Sequence, residues 1–366
     1  MLELSGLLAR PDGSLVQGRV SFNERIDSVV SGGAGGDFIL PGFIELQVNG
    51  SHGIDVMTAT AETLGALARH LGREGTTACL PTAVTSPIDR IEKVHSAITD
   101  AIEQTPQNDA ASILGMHLEG PFISPKRLGA HPHLNLEPHG DAFERTLTMR
   151  ALKLITLAPE LEGALDAIRA LTAQGVVVSM GHTDATLDEA NAAIAAGARM
   201  FTHLFNAMRP LNHRDPGVIA AALAPSPAYA AIIPDGVHVH PEMIRLAIRS
   251  RGAAGIILTT DKIVFAGLDT AQSETIGRAR IEGGAARLAD GTLAGAIISM
   301  LDGVRLIVER CGVSVGEAAM MASTNPARVV GAGDRGRIEA GARADLLVLG
   351  PQLDLKAVFI AGRELK

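Results

Sequence analysis

The chain has 366 residues, enough for about two average domains or for one α/β barrel of about 250 residues with an accessory piece. Hydrophobic residues make up 46% and charged residues 20% of the chain, a composition typical of globular proteins that excludes disordered and fibrous classes. The formal net charge is -8 and no cluster of basic residues offsets it, so we expect no nucleic-acid partner.

The first part of the chain favours β-structure. Residues 2–30 alternate short apolar runs with the turn residues Pro11-Asp12-Gly13 and Gly18. This pattern predicts a small antiparallel β region. A glycine-rich stretch at 31–36 then ends it.

From Phe43 onward, short β-type runs alternate with helical patterns. The predicted strands are 43–48, 76–80, 113–118, 152–157, 176–180, 200–204, 230–233 and 255–260. The predicted helices between them are 61–74, 88–103, 161–174, 187–196 and 241–251. Eight such β-type runs predict a TIM (β/α)8 barrel. The alternative is a doubly wound open sheet, but the glycine-rich dinucleotide fingerprint is missing at the first βα turn.

The last part of the chain returns to β-structure. Helical patterns at 301–311 and 315–322 precede Asn325-Pro326, and strand-like runs follow at 345–349 and 357–360. Since both ends of the chain favour strands, we predict that they pair into one small β-sandwich domain. The predicted domains are 1–40 with 336–366 for the sandwich and 41–335 for the barrel.

Several features bear on where the protein acts. No apolar run approaches the roughly 20 residues that a helix needs to cross a bilayer, so we expect no membrane partner. The N-terminus, Met1-Leu2-Glu3-Leu4-Ser5, lacks the basic and apolar segments of a secretory signal, which favours a cytoplasmic location. Cys79 and Cys311 stand far apart in apolar surroundings and are predicted to be buried thiols.

Polar residues follow the predicted strands at the end where barrels carry their chemistry. Glu119 and His182 follow strands three and five, and strand six carries His203 near its end. A lone histidine is more often a surface or core residue than a ligand, but these three residues converge on one mouth. Together they form a His₂-carboxylate set, which suits a catalytic divalent cation such as Zn²⁺ or Fe²⁺.

Two further charged residues have competing interpretations. Asp261, after strand eight, could cap a helix, or it could be a general base that takes a proton from water and returns it to a leaving group. Its place at the mouth favours the second. Arg214, after strand six, could clamp a phosphate with its guanidinium, although a solvated surface charge explains it equally well.

Several segments carry recognisable motifs, which are Pro41-Gly42-Phe43-Ile44, His117-Leu118-Glu119-Gly120-Pro121-Phe122, Leu157-Ala158-Pro159-Glu160, Gly181-His182-Thr183, Thr202-His203-Leu204-Phe205-Asn206-Ala207-Met208 and Asp235-Gly236-Val237-His238. They resemble the N-acetylglucosamine-6-phosphate deacetylase family of the amidohydrolase superfamily. The resemblance continues through Asn325-Pro326-Ala327 to the stretch 341–345, and so covers nearly the whole chain.

The resemblance implies a fold, a reaction and a set of site residues. The family is a TIM barrel with a small β-sandwich made from both chain ends, is usually a homodimer, and hydrolyses the acetamide of a phosphorylated amino sugar. By position, Glu119, His182 and His203 would be the metal ligands, and Asp261 would be the base and then the acid. The residues implied to contact substrate are Asn206 and the Ala207 backbone at the sugar or phosphate, Arg214 and His238 at phosphate and hydroxyls, and His131 near the acetyl carbonyl.

Two positions depart from the resemblance. Many superfamily members carry His-x-His at the end of strand one and bind two metals, whereas this chain has Gln47-Val48-Asn49. Amide side chains are poor Zn²⁺ ligands, so we expect one divalent cation per subunit. The family often has a small residue after Asp261, whereas Lys262 follows here, and we expect it to alter the pocket shape.

The resemblance therefore implies a metal-dependent deacetylase for N-acetylglucosamine 6-phosphate. Alternatives are a deacetylase for the galacto epimer, another N-acyl amidohydrolase, and a catalytically inactive barrel that serves as a binding protein.

Overall fold

The structure, a computed structural model, describes residues 1–106, 108–269, 275–276, 279–282 and 284–365. The strands are β1 (Leu2–Ala9), β2 (Leu15–Phe22), β3 (Ile26–Ser31), β4 (Phe38–Pro41), β5 (Phe43–Val48), β6 (Gly50–Ser51), β7 (Ile54–Asp55), β8 (Thr76–Val84), β9 (Ser112–Ile113), β10 (Met116–Glu119), β11 (Leu152–Leu157), β12 (Val177–Met180), β13 (Met200–Phe201), β14 (Tyr229–Ile232), β15 (Ile256–Leu258), β16 (Thr275–Ile276), β17 (Ala279–Glu282), β18 (Ala285–Arg287), β19 (Leu346–Leu349), β20 (Leu355–Ile360) and β21 (Arg363–Glu364).

The α-helices are α1 (Ala61–Arg73), α2 (Ile88–Gln104), α3 (Asp141–Leu147), α4 (Ala164–Ala173), α5 (Leu187–Ala196), α6 (Gly217–Leu223), α7 (Pro241–Arg251), α8 (Met300–Cys311), α9 (Val315–Ala319) and α10 (Asn325–Val329). Two short 3₁₀ helices occur at Val56–Thr58 and Ala253–Gly255, and a π-helical turn at Met320–Thr324 joins α9 to α10.

The two chain ends share one seven-stranded sheet, in the order β21-β20-β19-β4-β1-β2-β3. Neighbouring strands are antiparallel except for β1 and β4, which are parallel. The pairing of β4 with β19 places Pro41 opposite Leu346 and so joins the N-terminal strands to the C-terminal ones. The predicted sandwich-like domain made from both ends is therefore confirmed, whereas the exact boundaries at 40 and 336 stay a prediction.

The core of this sheet domain depends on an aromatic pair, and we expect Phe22→Ala to lower the free energy of unfolding by about 3–5 kcal/mol. The Phe22 ring is fully buried and packs edge-on against Phe359, with 5.3 Å between ring centroids. Removing it leaves a cavity that neighbouring strands cannot fill. Urea denaturation measures the change. Val30→Ala, at a 48% exposed position on β3, is the control, and equal effects of the two substitutions would contradict the prediction.

The middle of the chain forms the predicted barrel. Eight parallel strands lie in the order β15-β14-β13-β12-β11-β10-β8-β5, and the short β9 pairs with β8. A parallel bridge between Val48 and Lys262 connects β5, the first barrel strand, to the segment that follows β15, the last one. All six residues of β5 are buried, as expected for a parallel strand covered on both faces. The strand is not a continuous apolar run, because Glu45 and Gln47 are among its buried residues.

Amphipathic helices cover the outside of the barrel, and capping boxes begin several of them. The Thr60 hydroxyl accepts from the backbone of Thr63 at the start of α1, and Thr186 does the same with Glu189 at the start of α5. Each of the predicted helices is present, with ends that differ by up to three residues.

The structure differs from the sequence-based expectation in several elements. The third predicted run is split into β9 and β10 at Gly115, whose φ of +147° few side chains tolerate. Helices α3 and α6 were not predicted. Five of the seven residues of α6 are buried, so its sequence lacks the alternation of apolar and polar residues that marks a surface helix. The helix expected to end before Asn325 instead continues through the π turn into α10.

Cys79 and Cys311 are buried free thiols, as predicted. Within the described ranges, no helix has both the length and the apolar character needed to cross a membrane.

Candidate active site

Three metal-ligand candidates lie together at the C-terminal mouth of the barrel. Glu119 is the last residue of β10, and His182 and His203 each follow a strand, β12 and β13, by two residues. All three side chains are buried, and Oε1 of Glu119 lies 3.3 Å from Nε2 of His182 and 3.0 Å from Nε2 of His203. One ligand atom from each lies within 4.8 Å of the others. The structure thus brings together the cluster that the sequence predicts.

The hydrogen bonds of His182 test whether this cluster fits a cation. Its Nδ1 lies 2.9 Å from the backbone carbonyl of Arg127 and must donate, because a carbonyl only accepts. In the neutral imidazole the lone pair is then on Nε2, which lies 3.3 Å from a carboxylate oxygen of Glu119 and 3.1 Å from Nε2 of His203. A cation between these atoms would make the close approach of their lone pairs favourable. The donor set fits a divalent metal ion.

Electrostatics keep Glu119 in the form that binds metals. Burial alone would raise the pKa of this carboxyl, but the imidazoles around it, His131 first, outweigh burial and hold the pKa well below its ordinary value. The side-chain amide of Gln47 also donates to Oε1 at 2.8 Å. Glu119 is therefore a carboxylate, fixed in orientation.

Asp261 lies three residues after β15 and lines the same cavity as the cluster. Its Oδ1 accepts a hydrogen bond from the side-chain amide of Asn49 at 2.6 Å. Burial raises the pKa of Asp261 well above its ordinary value, and the charge of Glu119 adds to that effect. The next helix in the described part of the chain is α8, which Ser299 caps, so Asp261 is not a helix cap.

The cavity at the barrel mouth has a volume of about 540 Å³. It is lined by all four residues of the predicted reaction centre. The predicted substrate contacts that also line it are His131, Asn206, Ala207 and His238.

Two of these histidines are oriented by polar partners. Nδ1 of His131 lies 2.8 Å from the Thr85 hydroxyl, and its Nε2 lies 3.4 Å from Oε2 of Glu119. Nδ1 of His238 lies 2.5 Å from Oδ2 of Asp235. Burial would raise the pKa of Asp235, but the hydrogen bond with His238 outweighs it, so the pKa is lowered. Each ring therefore has a fixed orientation toward the cavity.

Arg214 lies apart from this group. It is exposed on the segment before α6, where its backbone N–H donates to the Asn212 side chain at 3.1 Å, and it is not among the residues that line the cavity. Its contact with phosphate stays a prediction.

Sequence reasoning missed the task of strand one. Gln47 and Asn49 were interpreted only as amides that replace metal-binding histidines. In the structure, however, Gln47 donates to Glu119 and Asn49 donates to Asp261. Their spacing of two places both side chains on the same face of the strand, and this was the signal that could have identified them.

The expected effect of Lys262 on the pocket does not come from its side chain. Lys262 is fully buried, its ammonium lies 2.5 Å from Oε2 of Glu74, and it does not line the cavity. The next three residues, Ile263, Val264 and Phe265, contribute to the apolar part of the cavity lining instead.

Comparisons with known proteins agree with this geometry. The model of the amidohydrolase family matches residues 38–365. An N-acetylglucosamine-6-phosphate deacetylase from Bos taurus is 37% identical, over 98% of this chain and 92% of its own. An N-acetylgalactosamine-6-phosphate deacetylase from Escherichia coli O157:H7 is also 37% identical, over 89% of this chain and 87% of its own.

A solved structure is similar over the whole chain. It is that of a mutant N-acetyl-D-glucosamine-6-phosphate deacetylase from Mycobacterium smegmatis, in complex with N-acetyl-D-glucosamine-6-phosphate. It has a TM-score of 0.90 and 32% sequence identity, and it covers 100% of this chain and 99% of its own. The family match and these relatives lead to one conclusion: the chain belongs to the amidohydrolase family.

Proposed function

We propose that this enzyme removes the acetyl group of N-acetylglucosamine 6-phosphate and releases acetate and glucosamine 6-phosphate, a step of amino-sugar breakdown. The observation that carries the proposal is the convergence of Glu119, His182, His203 and Asp261 on one cavity. The Bos taurus relative, matched over 98% of this chain, is a deacetylase for this substrate, and the Mycobacterium smegmatis relative was solved with it bound. A cavity of about 540 Å³ also has the size of a small-molecule site.

One divalent cation would be held by Glu119, His182 and His203, with Zn²⁺ or Fe²⁺ as the candidates. When bound, such a cation supplies Lewis acidity toward the acetamide carbonyl and lowers the pKa of water. Gln47 and Asn49 stand where superfamily members with two metals carry histidines, and both amides are engaged by carboxylates. This engagement supports one metal ion per subunit.

Asp261 moves the proton. As a carboxylate it accepts a proton from the water that attacks the acetyl carbon, and the bond between carbon and nitrogen then breaks as Asp261 gives this proton to the departing amine. The hydrogen bond from Asn49 holds the carboxyl group in place during both transfers. Burial raises the pKa of Asp261, and the charge of a bound cation would act in the opposite direction by favouring the carboxylate.

The remaining cavity residues would bind the substrate. We assign the sugar or its phosphate to Asn206 and the Ala207 backbone, and the acetyl carbonyl to His131. His238 and Arg214 would contact phosphate and hydroxyls. Arg214 lies on the segment that follows Asn206 in the chain. We therefore assign its side chain a contact with a phosphate at the mouth of the barrel.

Two predictions from the sequence complete the proposal, a homodimer and a cytoplasmic location. An inactive binding barrel is disfavoured, because the three metal-ligand candidates and Asp261 are all present and line one cavity.

A specific observation favours a second candidate, deacetylation of the galacto epimer. A relative at 37% identity acts on N-acetylgalactosamine 6-phosphate. The two sugars differ at one hydroxyl, and a site that pairs one hydroxyl discriminates by about 1–3 kcal/mol.

Acetate release tests the proposal and its alternatives. We expect the highest kcat/KM on N-acetylglucosamine 6-phosphate and a value about 5- to 150-fold lower on the galacto epimer. For unphosphorylated N-acetylglucosamine we expect a loss of at least about 100-fold, because charge-assisted contacts to the phosphate are missing. A higher kcat/KM on the galacto epimer would establish the second candidate. Absence of acetate from all three compounds would contradict both.

A further inference from the structure

The backbone of the metal-ligand candidate His182 adopts a conformation that needs support. Its φ is +47°, in the left-handed region, which costs a non-glycine residue about 1–2 kcal/mol. Such a conformation persists where neighbouring groups fix it. One support comes from the segment after β10, where the backbone N–H of Ser124 donates to the His182 carbonyl at 2.9 Å.

A second support comes from Glu160, three residues after β11. Its Oε2 accepts a hydrogen bond from the Thr183 hydroxyl at 2.5 Å, and its Oε1 accepts from the backbone N–H of Asp184 at 2.6 Å. These donors belong to the two residues that directly follow His182. Hydrogen bonds to a charged acceptor are about twice as strong as neutral ones, so one carboxylate fixes the chain just beyond the ligand.

The side chain of Asp184 extends this network back to the imidazole of His182. It accepts from Nε of Arg127 at 2.8 Å and from Nη2 at 2.6 Å. The carbonyl of the same Arg127 accepts the Nδ1–H of His182 at 2.9 Å. Glu160 thus fixes the backbone of Asp184, and the carboxylate of Asp184 holds the guanidinium of Arg127. The carbonyl of Arg127 in turn orients the His182 imidazole.

Glu160 does not serve as half of an ion pair. Across the described ranges, no Lys, Arg or His nitrogen lies within 4.0 Å of its carboxylate. Both oxygens are instead used by Thr183, which is fully buried, and by a backbone N–H. The motif Leu157-Ala158-Pro159-Glu160 therefore ends in a charge that is directed at the His182 segment.

We propose that Glu160 is a positioning residue that holds the His182 imidazole at the metal site. Groups that orient a ligand from outside the coordination sphere change metal affinity about 10–100-fold when they are lost. The inference rests on the proposed function for the identity of the metal ligands, but the affinity for the metal can be measured without substrate.

The test compares Glu160→Ala, Glu160→Gln and the wild-type holoenzyme loaded with Zn²⁺. We expect Glu160→Ala to raise the Zn²⁺ dissociation constant, measured by competition with a chelator, about 10–100-fold. Glu160→Gln keeps one oxygen that can accept from the Asp184 N–H, so its dissociation constant should lie between those of the other two. Glu162→Ala is the matched control, because Glu162 is exposed and lies two residues further along.

Further readouts separate positioning from general stability. The visible spectrum of the Co²⁺-loaded protein reports ligand geometry and should change in Glu160→Ala but not in Glu162→Ala. If Glu160→Ala does not fold, as judged by circular dichroism, Glu160→Gln decides the matter by its dissociation constant. Zn²⁺ dissociation constants within twofold of wild type for every folded Glu160 variant would overturn the proposal. Activity of the wild type on the phosphosugar is measured in parallel, so an inactive wild type with metal-deficient Glu160 variants would overturn the function and leave the positioning role standing.

Discussion

Replacing Asp261 by asparagine is expected to lower kcat on N-acetylglucosamine 6-phosphate by about 10²–10⁴, the usual contribution of a general acid–base group. Asparagine has nearly the same shape as aspartate but cannot take up the proton of the attacking water. Its carbonyl oxygen can still accept the hydrogen bond that Asn49 donates to Oδ1. The loss should therefore be confined to kcat, with little change in metal content. Steady-state acetate release and elemental analysis measure the two quantities.

The matched control for this experiment is Asp100→Asn. Asp100 is exposed on α2, so the same change from acid to amide there should leave both quantities at wild-type values. If Asp261→Asn kept wild-type kcat, Asp261 would have no part in proton transfer. If it lost the metal as well, Asp261 would belong among the ligands rather than opposite them.

The metal-ligand candidates could be predicted from the sequence because each of them lies at or just after the end of a strand. Glu119 ends β10, and His182 and His203 follow short buried strands, so locating each apolar run also located the side chain at its end. Parallel strands then bring those ends to one mouth. The identity of the fold and the convergence of four residues followed from this local pattern alone.

The parts that were missed depend on contacts between distant segments. Nothing in the sequence near Glu160 indicates that its carboxylate accepts from Thr183 and Asp184, more than twenty residues away. The direction of the Lys262 side chain was likewise undetermined, because its partner Glu74 lies 188 residues earlier. Helix α6 is nearly all apolar, so burial rather than periodicity determines it. Long-range pairing, which a local pattern does not encode, decides all three.

Replacing His182 is expected to remove most of the bound metal. In the wild type we expect about one ion per chain, and in His182→Ala close to none after dialysis, because two ligands hold Zn²⁺ far more weakly than three. The change also leaves the Arg127 carbonyl without the imidazole N–H that it accepts. Elemental analysis of the dialysed protein measures the ratio, and activity should be lost with the metal.

A second substitution distinguishes loss of the imidazole from strain in the backbone. Alanine tolerates the φ of +47° at this position poorly, whereas asparagine adopts positive φ more readily. His182→Asn therefore preserves the backbone but provides an amide, which is a poor Zn²⁺ ligand. If the imidazole is the ligand, both variants lose the metal, while the exposed His213→Ala retains it. Retention of metal by His182→Asn would mean that the backbone matters more than the ring, and full metal content in both variants would exclude His182 from the ligand set.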